Sequence, residues 1–252
     1  MRADQLLVDR GLAASRSQAQ RLIASGVEWR LGNKPWQRVT KNGDELPLPC
    51  EVRLLDNAEA RYVSRGGLKL EGALHSSGLS AQGLRCLDVG QSTGGFTDCL
   101  LQQGAAQVVG LDVGHGQLHP RLRDDARVVC VERINARELE PNDARVPDAA
   151  LGFDLVVGDM SFISLTLVLP ALLPLLKKGG ALLMLVKPQF ELQPSDIGKG
   201  GLVKDTASYV QVEARLREAC AALNLDVLGY WPSAIAGGDG NKEFWIGARS
   251  TA

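Results

Sequence analysis

Between residues 87 and 97 the chain runs Leu-Asp-Val-Gly-Gln-Ser-Thr-Gly-Gly-Phe-Thr, an apolar stretch that breaks into glycines and resumes as a helix start. Glycines in such a turn let the backbone approach a ligand closely. The spacing is not the dinucleotide fingerprint, because Ser92 stands where the second glycine would be. No Gly-Lys-Ser/Thr follows to make a phosphate loop. Asp88, Gly90, Ser92, Thr93, Gly94, Gly95, Phe96 and Thr97 thus suit a ligand without a pyrophosphate. Asp88 would face an amine and the loop backbone a carboxylate. Farther on, Asp112 ends the run Val-Val-Gly-Leu-Asp, followed by Val113. An acidic side chain at that place hydrogen-bonds ribose hydroxyls. Amine, carboxylate and ribose diol together describe S-adenosyl-L-methionine. Glu132 and Asn135, after the next strand, would lie near the adenine ring. The plain alternatives are a glycine-rich turn for the loop and a helix-start cap for Asn135.

Two further residues stand where open α/β sheets place their ligands, at the carboxyl ends of strands. Asp159 closes the apolar run 154–158, and Lys187 closes the run LLMLV. A lysine ending an apolar strand is out of place unless its amine is used. Glu243 opens the last strand candidate, in GNKEFW, and Lys69 lies on a helix, in SRGGLKL. Singly, each has a bland reading: a solvated helix lysine, a surface glutamate, a strand-end cap.

The elements that would position these residues alternate. Continuous apolar strands are expected over 84–89, 107–112, 127–131, 154–158, 181–187, 226–231 and 243–248. Helices are expected over 67–77, 96–103, 163–177 and 206–223. This alternation predicts an α/β, doubly wound, mostly parallel sheet. Ahead of it, residues 4–11 give one or two helical turns. Ser15 and Gln18 then form an S-x-x-Q capping box for a helix ending at Gly26. Short strands over 27–30, 36–39 and 52–55 follow, split by Gly32-Asn33 and Asn42-Gly43-Asp44. The expected organisation is a small α+β front domain over 1–58, a polar linker over 59–66 and the large domain over 67–252.

The 252 residues are 45% hydrophobic and 23% charged, which excludes a disordered or collagen-like chain. The net charge of −1 is unevenly spread. Residues 1–69 hold 12 Lys and Arg against 8 Asp and Glu, leaving 16 against 21 for the rest. A basic front on an acidic body suits a polyanion partner for the front. Five cysteines without a C-x-x-C pair suggest neither a disulfide framework nor a zinc site, and fit a cytoplasmic protein. No secretory signal and no membrane segment are expected: the apolar run 162–176 is short and contains Pro170 and Pro174.

Several stretches taken together are more specific. SRGGLKL, the glycine loop with its STGGFTDCLLQ continuation, GLDVG, GDMSFIS, LVKPQFE, GKGG and GNKEFW resemble the TlyA family. That family is described as hemolysin A or ribosomal RNA 2′-O-methyltransferase, with an FtsJ-like catalytic domain. The front is similar to the small α-L RNA-binding domain named for ribosomal protein S-four, through Arg2-Ala-Asp4, Ser15-Arg-Ser-Gln-Ala and Leu22-Ile-Ala. The resemblance implies that Lys69, Asp159, Lys187 and Glu243 form a catalytic K-D-K-E tetrad. A ribose 2′-hydroxyl is a poor nucleophile and must lose its proton as it attacks, so a general base is required. The resemblance makes Lys187 that base, oriented by Asp159 and Glu243. It also implies ribosomal RNA or ribosomal subunits as partner, with cytidine as target. Arg2, Arg16, Arg21, Arg65 and Lys199 are the candidate RNA-binding residues.

The chain also departs from the common pattern. Gln91 replaces a small residue in the cofactor loop, and would either narrow the pocket or add a hydrogen bond. Val27-Glu-Trp-Arg replaces a more usual strand in the front domain. His115 and His119 read as loop histidines rather than metal ligands, and no metal is expected. The stretch 198–201 reads as a flexible flap. Three other functions compete: a non-catalytic ribosome-associated factor, a membrane-active hemolysin and a small-molecule methyltransferase.

Overall fold

The computed structural model describes residues 1–13, 15–55, 61–237 and 240–251. Residues 56–60, where the expected linker begins, lie outside the described residues. The chain divides into two compact units, Met1–Leu68 and Lys69–Ala252.

The first unit begins with helices α1 (Ala3–Asp9) and α2 (Arg16–Gly26). Ser15 caps α2 by accepting the Gln18 backbone N–H at 3.3 Å, and the Gln18 amide donates to the Tyr62 carbonyl. Gly26, at φ +130°, turns α2 directly into the sheet. Strands β1 (Val27–Arg30), β2 (Gln37–Arg38) and β3 (Glu51–Leu54) pair antiparallel in the order β2-β1-β3. Strand β2 is two residues long rather than the expected four. Pro35 brings no N–H to a ladder, and the Trp36 ring instead meets the guanidiniums of Arg30 and Arg53, 4.6 and 4.3 Å from its centre. Leu6, Leu7, Leu22, Ile23 and Val27 form the core of this unit.

After α3 (Gly66–Ser77) come β4 (Arg85–Val89), α4 (Gly95–Gln102), β5 (Gln107–Asp112), α5 (Pro120–Arg123), β6 (Val128–Glu132) and β7 (Phe153–Gly158). Then follow α6 (Leu165–Leu172), β8 (Leu176–Val186), α7 (Pro188–Glu191), α8 (Ser208–Ala222), β9 (Leu225–Pro232) and β10 (Phe244–Ser250). The sheet order is β6-β5-β4-β7-β8-β10-β9. The first five strands are parallel, and β10 runs antiparallel to both its neighbours. The expected doubly wound, mostly parallel sheet is therefore present. The middles of its central strands β4, β5, β7 and β8 are largely apolar and buried because helices cover both faces. Val168, Leu169 and Leu172 of α6 and Val212, Leu216 and Cys220 of α8 pack on Val156, Leu182, Met184 and Ile246 of the sheet.

The helix expected over 163–177 stops at Leu172. Pro174 ends it in a tight turn over Leu173–Leu175, and β8 begins at once, five residues earlier than expected. An unbroken apolar run carries no period to separate buried helix from buried strand. Among the described residues no helix is long and apolar enough to cross a membrane. No group of three His, Cys, Asp or Glu among them is placed to hold a metal. His119 caps α5, its Nδ1 accepting the Arg121 N–H.

Candidate active site

After β4 the chain winds outward through β5 and β6, then crosses back to place β7 on the other side of β4. Ligands bind at such a reversal, beyond the carboxyl ends of the strands. A cleft of about 540 Å³ opens there, lined by Gly90, Ser92, Asp112, Val113, Asn135 and Asp159, with Leu111, Ile134, Met160 and Val168 as apolar wall. Its size falls in the range of about 300–1,000 Å³ usual for small-ligand sites.

Backbone packing builds the cleft's floor. Gly90 sits at φ +82°, and a Cβ there would lie 2.5 Å from the Asp159 carbonyl oxygen. Only glycine lets the ends of β4 and β7 meet this closely. Asp112 accepts the Ser92 N–H on Oδ2 at 2.7 Å and the Gly114 N–H on Oδ1 at 2.6 Å. Those bonds hold Ser92 at φ +49° and keep the carboxylate at the rim. A carboxylate has about four acceptor sites, so Asp112 retains capacity for a diol. Asn135 both lines the cleft and caps the turn after it, accepting the Arg137 N–H at 3.1 Å. Glu132 instead accepts the Gly116 N–H.

Most of the rest of the glycine loop is buried. Asp88, expected to face an amine, is fully buried. Its Oδ2 accepts the Thr97 hydroxyl at 2.7 Å, and Thr97 Oγ1 in turn accepts the Gln91 amide at 2.9 Å. Burial pushes the Asp88 carboxyl up to about 7. Gln91 lies over Gly110 rather than in the cleft, so of its two expected effects the hydrogen bond is the one present. Gly94 takes φ +93°, and a side chain there would strike Leu118 and Leu122. Gly95 and Phe96 begin α4 as buried residues, the Phe96 ring 5.4 Å from that of Trp245, while Thr93 is exposed. Closing α4 against α5 and β10 is what sequesters this half of the loop.

The four tetrad candidates come together through strand order. Strands β7, β8 and β10 are consecutive neighbours, and β10 is antiparallel, so its beginning lies beside the ends of the other two. Phe244 pairs with Val186, which sets Glu243 next to Lys187. Pro188 keeps Lys187 extended. Lys187 Nζ is 2.5 Å from Asp159 Oδ1 and donates to Ser161 Oγ at 2.9 Å. Lys69, from α3, sits 2.5 Å from Glu243 Oε2 with both side chains almost enclosed. Burial raises the Glu243 carboxyl above its usual range; the Lys69 contact works the other way, and Asp159 and Lys187 are close enough to act on it. The site is thus two adjoining ion pairs at the end of the cleft.

In the first unit, Arg2 and Arg16 both grip Asp4, at 2.9 and 3.1 Å. Asp4 is completely buried, and the Arg2 guanidinium holds its carboxyl well below the usual range. Both arginine side chains remain about half exposed, at 49% and 55%. Arg21 donates to the Ser17 carbonyl on the same helix, and Arg65 is partly buried near the end of this unit. In the second unit Lys199 is exposed on a tight turn. Ile197 and Val203 bridge across that turn, and buried Asn241 accepts the Val203 N–H and donates to the Gly201 carbonyl.

Sequence reasoning did not single out Ser161, Met160, Gln117 or Phe162. Gln117 accepts the Ser92 hydroxyl at 3.2 Å. Phe162 is 90% exposed at φ +64°, its ring 5.0 Å from that of Phe190. The signal for three of them was their position just beyond Asp159, where a strand-end loop meets ligands.

Residues 62–250 match the FtsJ-like methyltransferase family. The chain is 41% identical over 251 residues to the 16S/23S rRNA (cytidine-2′-O)-methyltransferase TlyA of Mycobacterium tuberculosis, covering 99% of this chain and 90% of that protein. It is 40% identical over 207 residues to hemolysin A of Brachyspira hyodysenteriae, covering 81% of each. A hemolysin-named structure from Streptococcus thermophilus superposes with a TM-score of 0.75 at 39% identity, over 100% of this chain and 88% of that one. With sheet order, cleft and likeness in agreement over nearly its whole length, the chain belongs to the FtsJ-like methyltransferase family and, within it, to the TlyA group.

Proposed function

We propose that this methyltransferase acts on a ribose 2′-hydroxyl of ribosomal RNA, at cytidine, with Lys187 as the general base. The observation that carries the reading is the convergence of Lys187–Asp159 and Lys69–Glu243 at the end of the cleft. S-adenosyl-L-methionine supplies a transferable methyl group on a sulfonium. The cleft suits that donor: Asp112 offers acceptor capacity to a ribose diol, Leu111 and Ile134 offer apolar wall to a base, and Gly90 leaves the floor open.

Lys187 Nζ is the group assigned to take the hydroxyl proton. Asp159 and Ser161 fix where that nitrogen sits, so the proton acceptor stands in one place when RNA arrives. Lys69 holds Glu243, which keeps a second carboxylate beside the first pair and orders the hydroxyl's surroundings. The name of the Mycobacterium tuberculosis relative supports ribosomal RNA and cytidine as substrate.

The front domain, taken as residues 1–58 with a linker at 59–66 and the catalytic domain over 67–252, is assigned to RNA capture in the S-four manner. Arg2 and Arg16, anchored on Asp4 yet half exposed, are cations fixed in position, which suits structured RNA read by shape and phosphate. Arg21, Arg65 and Lys199 complete the proposed RNA-binding set.

Transfer of labelled methyl to purified ribosomal subunits and to naked ribosomal RNA tests the reading, with native protein beside Lys187→Ala. Label in RNA that vanishes in the variant is the expected result. Intact cofactor binding with no label on any RNA form would refute it.

A further inference from the structure

The segments 159–165 and 187–191 touch at three successive places. Asp159 and Ser161 hold Lys187 at one end, and the Phe162 and Phe190 rings meet at 5.0 Å in the middle. At the far end stands Glu191, the last residue of α7. Its Oε2 accepts the Ser164 hydroxyl at 2.5 Å, and its Oε1 accepts the Leu165 N–H at 2.7 Å. The ring contact lies in solvent, because Phe162 is exposed. Glu191 is buried, and Arg215 of α8 donates to its backbone carbonyl at 2.6 Å. The carboxylate is therefore the firmer of the two holds beyond Lys187 itself.

Burying a carboxylate is costly unless its acceptor sites are filled, so this one needs a reason. Capping α6 is not reason enough. Ser164 already caps that helix by accepting the Thr166 N–H at 3.2 Å. What Glu191 adds is a link between residues 26 and 27 apart in the chain. One end of the link is the loop after β7, which carries Asp159 and Ser161. The other end is α7, which starts directly after Lys187. We propose that Glu191 is a positioning residue for methyl transfer: it locks these two segments in register and so sets where Lys187 Nζ stands. Only Pro188, Gln189 and Phe190 separate it from Lys187, all within the same short helix, so a shift at Glu191 is carried to the lysine. The inference rests on the proposed role of Lys187 and adds to it the residue that keeps that lysine in place.

The test uses the full-length protein, saturating S-adenosyl-L-methionine and ribosomal RNA as substrate. Glu191→Met keeps the bulk and removes both bonds. Ser164→Ala removes one of them. Glu191→Gln can keep both, its amide oxygen accepting the Leu165 N–H and its NH₂ donating to Ser164 Oγ. Misplacing a reacting group by about 1 Å costs about 10²-fold in rate. Glu191→Met should lower kcat by up to that factor with KM for RNA unmoved, Ser164→Ala should lower it less, and Glu191→Gln should keep most of it. The decisive arm repeats Glu191→Met in Lys187→Ala protein. A residue that acts through Lys187 has no further effect there, whereas general destabilisation multiplies the two losses. Multiplied losses, or native kcat in folded Glu191→Met, overturn the inference. Should Glu191→Met not fold, Ser164→Ala decides, and native kcat there overturns it. Transfer that depends on Lys187 but not on Glu191 leaves the proposed function standing. Full activity in folded Lys187→Ala overturns the base assignment and this inference with it.

Discussion

Lys187 Nζ is clamped between Asp159 Oδ1 at 2.5 Å and Ser161 Oγ at 2.9 Å, so the residue after β8 is held by the loop that follows β7. A nitrogen gripped by the neighbouring strand end has a fixed distance to the cleft, as the proposed base would need. General bases contribute about 10²–10⁴ in rate. Lys187→Ala should lower methyl transfer to RNA by that factor, with the Kd for S-adenosyl-L-methionine within a few-fold of native. Calorimetric titration alongside the transfer assay measures both. Full activity in a folded Lys187→Ala protein would remove the assignment.

Lys69 and Glu243 make the more deeply enclosed pair, with side chains 10% and 3% exposed. Breaking a buried pair from one side costs about 3–5 kcal/mol, because it strands the other charge. Lys69→Met should therefore lower Tm markedly. Lys69→Met with Glu243→Gln together should recover much of that loss without recovering methyl transfer. A denaturant double-mutant cycle reads the coupling. Losses that simply add would show that the two side chains act independently.

Legibility in the sequence followed chemical necessity. The strand ends at Asp112, Asp159 and Lys187 could be read because a charged residue closing an apolar run has few reasons to be there. Neighbouring strand order was what the sequence could not supply. Glu243 looks like a surface charge until antiparallel β10 is seen to begin beside the end of β8. The glycine loop was read as one ligand surface, yet only Gly90 and Ser92 of it face the cleft. The other half is consumed by packing on Leu118, Leu122 and Trp245, contacts made by residues distant in the chain. Pro174 carried the information that ended α6, but the apolar run around it hid the start of β8.

Asp4 anchors the front unit's cations, and its removal should be felt in both stability and RNA binding. Its carboxyl is held below the usual range, so the stabilisation is present above about pH 4, the ordinary aspartate pKa, and is lost as pH falls further. Asp4→Asn should cost about 1.5–3 kcal/mol near neutrality, the scale of charged hydrogen bonds. It should also weaken RNA binding by freeing Arg2 and Arg16. Chemical denaturation and filter binding at two salt concentrations measure the two effects. Unchanged RNA affinity in a folded Asp4→Asn protein would separate these arginines from RNA capture.

Asp88 gives the opposite sign. Its carboxyl is pushed up to about 7 by burial, against the Thr97 hydroxyl that favours the charged form. The folded protein then holds this proton more tightly than the unfolded chain, whose aspartates titrate near about 3.9. The contribution to stability is full at the acidic end and declines as pH rises from about 4 through 7. Asp88→Asn has nothing to titrate, and its amide oxygen can still accept from Thr97. Relative to the native protein, Asp88→Asn should therefore gain in Tm between pH 5 and pH 8. The same comparison for the Gln91–Thr97–Asp88 chain of bonds says why the loop tolerates a long side chain at 91. The Gln91 amide ends on Thr97 Oγ1, leaving that hydroxyl's proton for Asp88. Gln91→Ala should then loosen Thr97 and raise the cost of the ionised carboxylate, steepening the same pH dependence. A Tm difference between native and Asp88→Asn that is flat from pH 5 to 8 would mean that the carboxyl does not titrate in this window.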